Sequence, residues 1–149
     1  MSTQERAEEE AIGVSRGGRT TKIHAVTDEK GRIRRFDLTG GNRHDAAVAE
    51  PLILGGDSDV EFMIGDKGYD SKDLRDAAIE SGMTPVIPSR KGAVTPADYD
   101  VELYKERNLI ERAFCRLKDY RRIATRYDKL KRNFQAAVQL VSVRMWFLI

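Results

Sequence analysis

Cysteine is nearly absent from this chain. Cys115 is alone among 149 residues, so no internal disulfide can form, and the composition suits a reducing compartment. That thiol, between Phe114 and Arg116, reads as a partly buried, inert side chain rather than a nucleophile. Histidine is almost as scarce: with His24 and His44 and one cysteine, no zinc cluster at ligand spacing is possible. Long hydrophobic runs are missing as well. The terminal VQLVSVRMWFLI is too short to cross a bilayer and is interrupted by Arg144. The opening MSTQERAEEE is acidic, which excludes a secretory or organelle signal.

Charge, by contrast, is plentiful and unevenly placed. Apolar residues make up 40% of the chain and charged residues 34%, which is polar but globular rather than disordered. From Tyr99 to the end there are 12 Lys and Arg against 6 Asp and Glu, a net of +6. The preceding residues carry 14 against 18, a net of −4, and the two sum to the overall +2. A basic C-terminal third suits a polyanion such as nucleic acid.

In chain order, residues 1–19 show no apolar periodicity and read as a mobile lead-in. TTKIHAVT (20–27) and RIRRFDLT (32–39) alternate like strands, and the short Asp28–Gly31 link makes them an antiparallel hairpin. Asp45 or its neighbour caps a short helix closed by Gly55 and Gly56. VEFMIG (60–65) is an apolar run of strand length that fits an interior strand. Ser71 reads as the N-cap of a helix ended by Gly82, and TPVIP (84–88) as a short edge strand. A Gly/Pro loop with Arg90 and Lys91 precedes a long stretch, 99–126, free of Gly and Pro and read as one helix. A basic connector leads to a final helix from Phe134 to Ile149. The order β-β-α-β-α-β-α-α is an α/β layout without repeats or a second domain.

Two carboxylates stand out. Asp66 follows the carboxyl end of an apparent interior strand, where α/β sheets place ligands, although an acid there also simply starts turns. Glu111 lies on the long helix with Tyr104, Arg107 and Lys118 at i, i+3, i+7 and i+14 of the same sector, and Leu103, Ile110, Phe114 and Leu117 mark a buried stripe beside it. An ordinary solvated face with ion pairs would look the same. Asp70 reads as flanking the next helix, His24 as a packing or hydrogen-bonded residue, and His44 as a helix-start residue. Two acids from distant segments could hold a hard divalent cation for phosphodiester transfer, with the cations on a phosphate; that chemistry usually wants a third acid. Asp66 as the nucleophile of a phosphatase-like enzyme would need a second nearby Asp and a phosphate loop, and neither is present.

GRTTKIHAVTDEKGRIRRFDLTGGNRHDAA, IGDKGYDSKDLR and YKERNLIERAFCRLKDYRRIATRYDK together resemble the catalytic region of bacterial insertion-sequence DDE transposases with a Tyr-Arg-Glu-Lys signature. The likeness covers nearly all of 13–149. It implies a ribonuclease-H-like fold, a central mixed sheet with helices on both faces, and cut-and-transfer chemistry on transposon-end and target DNA with Mg2+ or Mn2+. It implies that Asp66 is the second catalytic Asp and Glu111 the catalytic Glu, both metal ligands. Tyr104, Arg107 and Lys118 complete the signature, and these three, with Arg121 and Arg122, are expected to contact DNA. The family's first catalytic Asp sits on a strand ahead of this segment, and Asp28 and Asp37 are poor substitutes for it. The expectation for 20–149 is therefore a partial catalytic domain lacking its first strand. It would work in the bacterial cytoplasm, at the nucleoid, with an upstream transposase segment or a second copy. The alternative is an inactive fragment that binds DNA or a transposase.

Overall fold

The computed structural model describes residues 1–56 and 59–148. The chain divides into two units, residues 1–43 with 109–149, and residues 44–108.

The first unit is built on an antiparallel sheet of three strands in the order β1-β2-β3: β1 (Gly13–Ser15), β2 (Gly18–Thr27) and β3 (Ile33–Gly40). The expected hairpin forms, with Ile23 opposite Leu38 and Ala25 opposite Phe36. Its turn is closed by Asp28, whose carboxylate accepts the N–H groups of Lys30 and Arg32 at 3.0 and 2.9 Å. Gly31, at φ 74°, supplies the left-handed residue this turn needs. Helix α7 (Lys131–Leu148) lays Phe134, Val138, Ser142 and Met145 into the core at steps of four, four and three residues. There they meet Ala11, Ile33, Leu38, Ala113, Leu117 and Ile123. At the far end of α7 the Trp146 indole donates to the Ile33 carbonyl at 2.8 Å, and Arg32 lies 4.1 Å from its ring centroid.

The lead-in is not featureless. Helix α1 (Thr3–Glu10) starts with a capping box in which Ser2 and Glu5 satisfy each other's backbone N–H groups. Ala11 is buried, and Gly13–Ser15 pair with β2. The organiser is Arg126, whose guanidinium donates to the carbonyls of Glu10, Ala11 and Lys129 and to the Thr21 hydroxyl. Such long-range pinning has no local pattern in the sequence.

The second unit holds α2 (Asp45–Leu54), β4 (Phe62–Ile64), α3 (Lys72–Glu80), β5 (Thr84–Val86) and α4 (Val101–Tyr104). Its core joins Ala49, Met63, Leu74, Ala78, Met83 and Ile87. Ser71 caps α3 as expected, accepting from the Leu74 N–H. The expected interior strand needs correction. Among the described residues β4 pairs only with β5, in parallel, and Phe62 is 40% exposed. Among the described residues the strands fall into a three-stranded antiparallel sheet and this two-stranded parallel pair.

The single helix read over 99–126 is also corrected. Val101–Tyr104 runs into a 3-10 turn (Lys105–Arg107), then α5 (Asn108–Lys118), a break at Asp119–Tyr120, and α6 (Arg121–Ala124). Tyr120 is extended, at φ −90° and ψ 112°. The core explains the break. In an unbroken helix Ile123 would lie about 120° around from Leu117, at about 100° per residue. Stepping out at Tyr120 returns Ile123 to the cluster that buries Leu117. On the same helix Cys115 is exposed rather than partly buried.

Candidate functional site

The site is assembled around the turn that follows β4. Gly65 hydrogen-bonds to the Val86 carbonyl at 3.2 Å and so extends the parallel pairing by one residue. A Cβ at Gly65 would lie 3.3 Å from the Tyr69 ring, so the glycine gives that ring its seat. Asp66 follows with extended backbone, and its Oδ1 accepts the Gly68 N–H at 2.8 Å, capping the 3-10 turn Lys67–Tyr69. One carboxylate oxygen is thereby committed to the turn. The other, Oδ2, lies 3.9 Å from Nη1 of Arg107.

Gly68 is narrowly constrained. A Cβ there would come within 2.9 Å of Asp66 Oδ1 and 3.4 Å of Asp45 Oδ2. The Asp45 carboxylate at the start of α2 thus lies close to Gly68, on the side where a Cβ would stand. Burial, together with the negative charges of Asp45 and Asp66, pushes the Tyr69 hydroxyl up to about 12, so it stays protonated at neutral pH. Asp70 is a structural acid, in keeping with its reading from sequence. It accepts the Arg90 N–H at 2.8 Å and the Arg75 guanidinium at 2.9 Å, and the Arg90 bond foremost holds its carboxyl below the usual range. Arg90 also donates to the Lys67 and Gly68 carbonyls, each at 3.3 Å, while Arg75 reaches the Ile87 carbonyl at 2.8 Å. These two arginines brace the turn that aims Asp66. Neither was singled out as a site residue from sequence, although Arg90 stood out in its loop.

Arg107 closes the 3-10 segment, where residues three apart eclipse. That geometry places its guanidinium 5.8 Å from the centroid of the Tyr104 ring, which in turn meets Tyr99 edge-on at 5.5 Å. Asp66, Tyr104 and Arg107 thus come together within the second unit. Glu111, in the first turn of α5, and Lys118, in its last, belong to the first unit and are exposed. Arg121 and Arg122 on α6 are exposed too; Arg122 is held in a two-point ion pair with Asp128 at 2.9 and 3.0 Å.

The chemistry of Asp66 suits a hard divalent cation, since a surface carboxylate oxygen is the donor such ions prefer. Among the described residues no group of three or more His, Cys, Asp or Glu side chains is arranged to hold a metal ion. Asp28 and Asp37 are engaged elsewhere, Asp28 with Arg32 at 2.7 Å and Asp37 with Lys131 at 3.1 Å. His24 is buried and bonded to the Thr39 hydroxyl at 2.7 Å, the packing role expected of it. A shallow cavity of about 210 Å3 between Glu9, Leu130, Lys131, Arg132 and Gln135 contains none of the expected site residues. No helix among the described residues is long and apolar enough to cross a membrane.

The family model described as a transposase DDE domain matches residues 7–146. A candidate transposase for insertion sequence element IS6501 of Brucella ovis is 39% identical over 132 residues, covering 85% of this chain and 98% of that protein. A candidate transposase for insertion sequence element IS402 of Burkholderia cepacia is 31% identical over 119 residues, covering 73% of this chain and 54% of that protein. No solved structure matches.

Proposed function

Because the chain belongs to the transposase DDE domain family, we propose that it is the catalytic portion of an insertion-sequence transposase, cutting and joining DNA at transposon ends. The observation that carries this reading is the turn after β4. It commits one oxygen of Asp66 to Gly68 and leaves the other facing Arg107, whose guanidinium sits over Tyr104. An acid held this way can serve a metal without losing its orientation.

In this reading Asp66 and Glu111 are ligands for Mg2+ or Mn2+. The bound ion supplies Lewis-acid stabilisation of the oxygens that attack and leave at the scissile phosphate. The residues of the chain do the positioning. Arg107 and Lys118, with Tyr104, Arg121 and Arg122, hold the phosphate backbone as cations and hydrogen-bond donors. The domain is of the ribonuclease-H-like kind, and a third carboxylate comes from an upstream transposase segment or a second copy. The protein acts in the bacterial cytoplasm, on nucleoid DNA.

The test is nicking of transposon-end DNA with Mn2+, in the presence of a segment supplying the third acid. Glu111→Gln abolishes nicking and leaves DNA binding intact; unchanged nicking refutes its role. One observation favours a second reading. With no three-acid group among the described residues, the chain alone would be an inactive DNA- or transposase-binding fragment. Nicking by the chain without any upstream segment would exclude that reading.

A further inference from the structure

The ion pair between Arg107 and Asp66 has a consequence for how metal and DNA bind. The two side chains are 30% and 45% exposed and their charged atoms are 3.9 Å apart. The guanidinium faces Oδ2, the oxygen that Gly68 leaves available. The position of Arg107 is set by the 3-10 turn and by its seat over Tyr104, both within the second unit. A cation arriving at Oδ2 therefore meets a resident positive charge, and a phosphate arriving at Arg107 meets a resident negative one.

We propose that Arg107 is the built-in counter-ion of Asp66, so that a divalent cation and the guanidinium compete for one carboxylate, and a DNA phosphate that draws Arg107 away readies Asp66 for metal. This rests on the reading of Asp66 as a metal ligand and adds a coupling to it. Linkage makes the coupling reciprocal: whatever relieves Asp66 of Arg107 favours metal, and whatever relieves Arg107 of Asp66 favours phosphate. Partly exposed ion pairs are weak, so the coupling is small but measurable, about two- to fivefold in affinity. Its use is order. Without DNA the pair biases Asp66 against metal, and a phosphate at Arg107 lifts that bias, so that an ion binds more readily where a phosphate already lies.

The experiment is Mn2+ binding to the full chain, followed by electron paramagnetic resonance, in a double-mutant cycle of Arg107→Gln and Asp66→Asn. Arg107→Gln should bind Mn2+ about two- to fivefold more tightly than the natural chain. Arg107→Lys, which keeps the charge, should stay near the natural value. In the Asp66→Asn background the Arg107→Gln gain should vanish. The reverse arm uses a short duplex in chelator: Asp66→Asn should bind it more tightly than the natural chain, and the gain should disappear once Arg107 is Gln. If Asp66→Asn weakens Mn2+ binding but Arg107→Gln leaves it unchanged or weaker, the counter-ion role is overturned and Asp66 remains a ligand. If Asp66→Asn leaves Mn2+ binding unchanged, the ligand reading falls and the counter-ion role with it. Melting curves for every variant separate either result from misfolding.

Discussion

Replacing Gly68 by alanine should separate the stability of the fold from the aim of its acid. The added Cβ would stand 2.9 Å from Asp66 Oδ1 and 3.4 Å from Asp45 Oδ2. Ordinary contact begins near 3.4 Å, so the Asp45 contact is tolerable and the Asp66 oxygen must retreat by 3.4 − 2.9 = 0.5 Å. The obstructing atom is the tip of a side chain on the surface, which moves cheaply. Its movement breaks the 2.8 Å bond to the Gly68 N–H, one hydrogen bond of about 0.5–1.5 kcal/mol. At about 2–4 °C per kcal/mol for a chain of this length, that lowers the melting temperature by about 1–6 °C. Chemistry is less forgiving, because a misplaced reacting group can cost about a hundredfold in rate. Gly68→Ala should thus melt within a few degrees of the natural chain, yet lose at least about tenfold in Mn2+-dependent nicking measured with the segment that supplies the third acid. Gly17→Ala is the control: its Cβ would meet only Ser15 Oγ, at 3.9 Å, and both measurements should be unmoved. Melting by calorimetry and nicking on the same preparations decide the matter. A Gly68→Ala chain with full activity would refute the claim that this turn holds Asp66 in a working position.

Two further outcomes concern stability. Leu117 is fully buried among Ala113, Ile123, Phe134 and Val138, so Leu117→Ala should cost about 2–5 kcal/mol in denaturant unfolding. Asp70→Asn should destabilise the chain at neutral pH and progressively less in acid. Its carboxyl is held low in the folded state, chiefly by the Arg90 N–H and then by Arg75, so its stabilisation is complete above the unfolded value of about 3.9. That stabilisation disappears as pH falls through the lower folded value. Melting temperatures of both chains against pH should therefore converge in acid, and a constant gap would count against the assignment.

The elements legible in the sequence were those whose cause is local. The hairpin of β2 and β3 follows from alternation across a four-residue link, and the start of α3 from Ser71 reaching the Leu74 N–H. Elements set by distant contacts were not legible. The helix read through Arg126 breaks at Tyr120 because Ile123 must rejoin a core that includes α7, more than ten residues further on. Nothing in KDYRRIATR marks that turn, since every residue in it tolerates a helix. Likewise the end of α1, at Glu10 and Ala11, is tied down by Arg126, over a hundred residues away in the chain.

The same division runs through the site. The signature spacing fits 3.6 residues per turn, yet Lys105–Arg107 is wound more tightly, so Tyr104 and Arg107 stack instead of merely sharing a sector. The 3-10 turn is what turns a sequence motif into a contact with Asp66. A chain wound as a regular α-helix there would carry the same letters with Arg107 rotated by about 60° relative to Tyr104, at 100° rather than 120° per residue over three residues. The motif residues name the chemistry, while the tight turn at 105–107 and the Arg75–Arg90 brace under Asp66 decide which of them meet. Mutations in those supports should therefore reach the reaction through geometry, without touching metal or DNA.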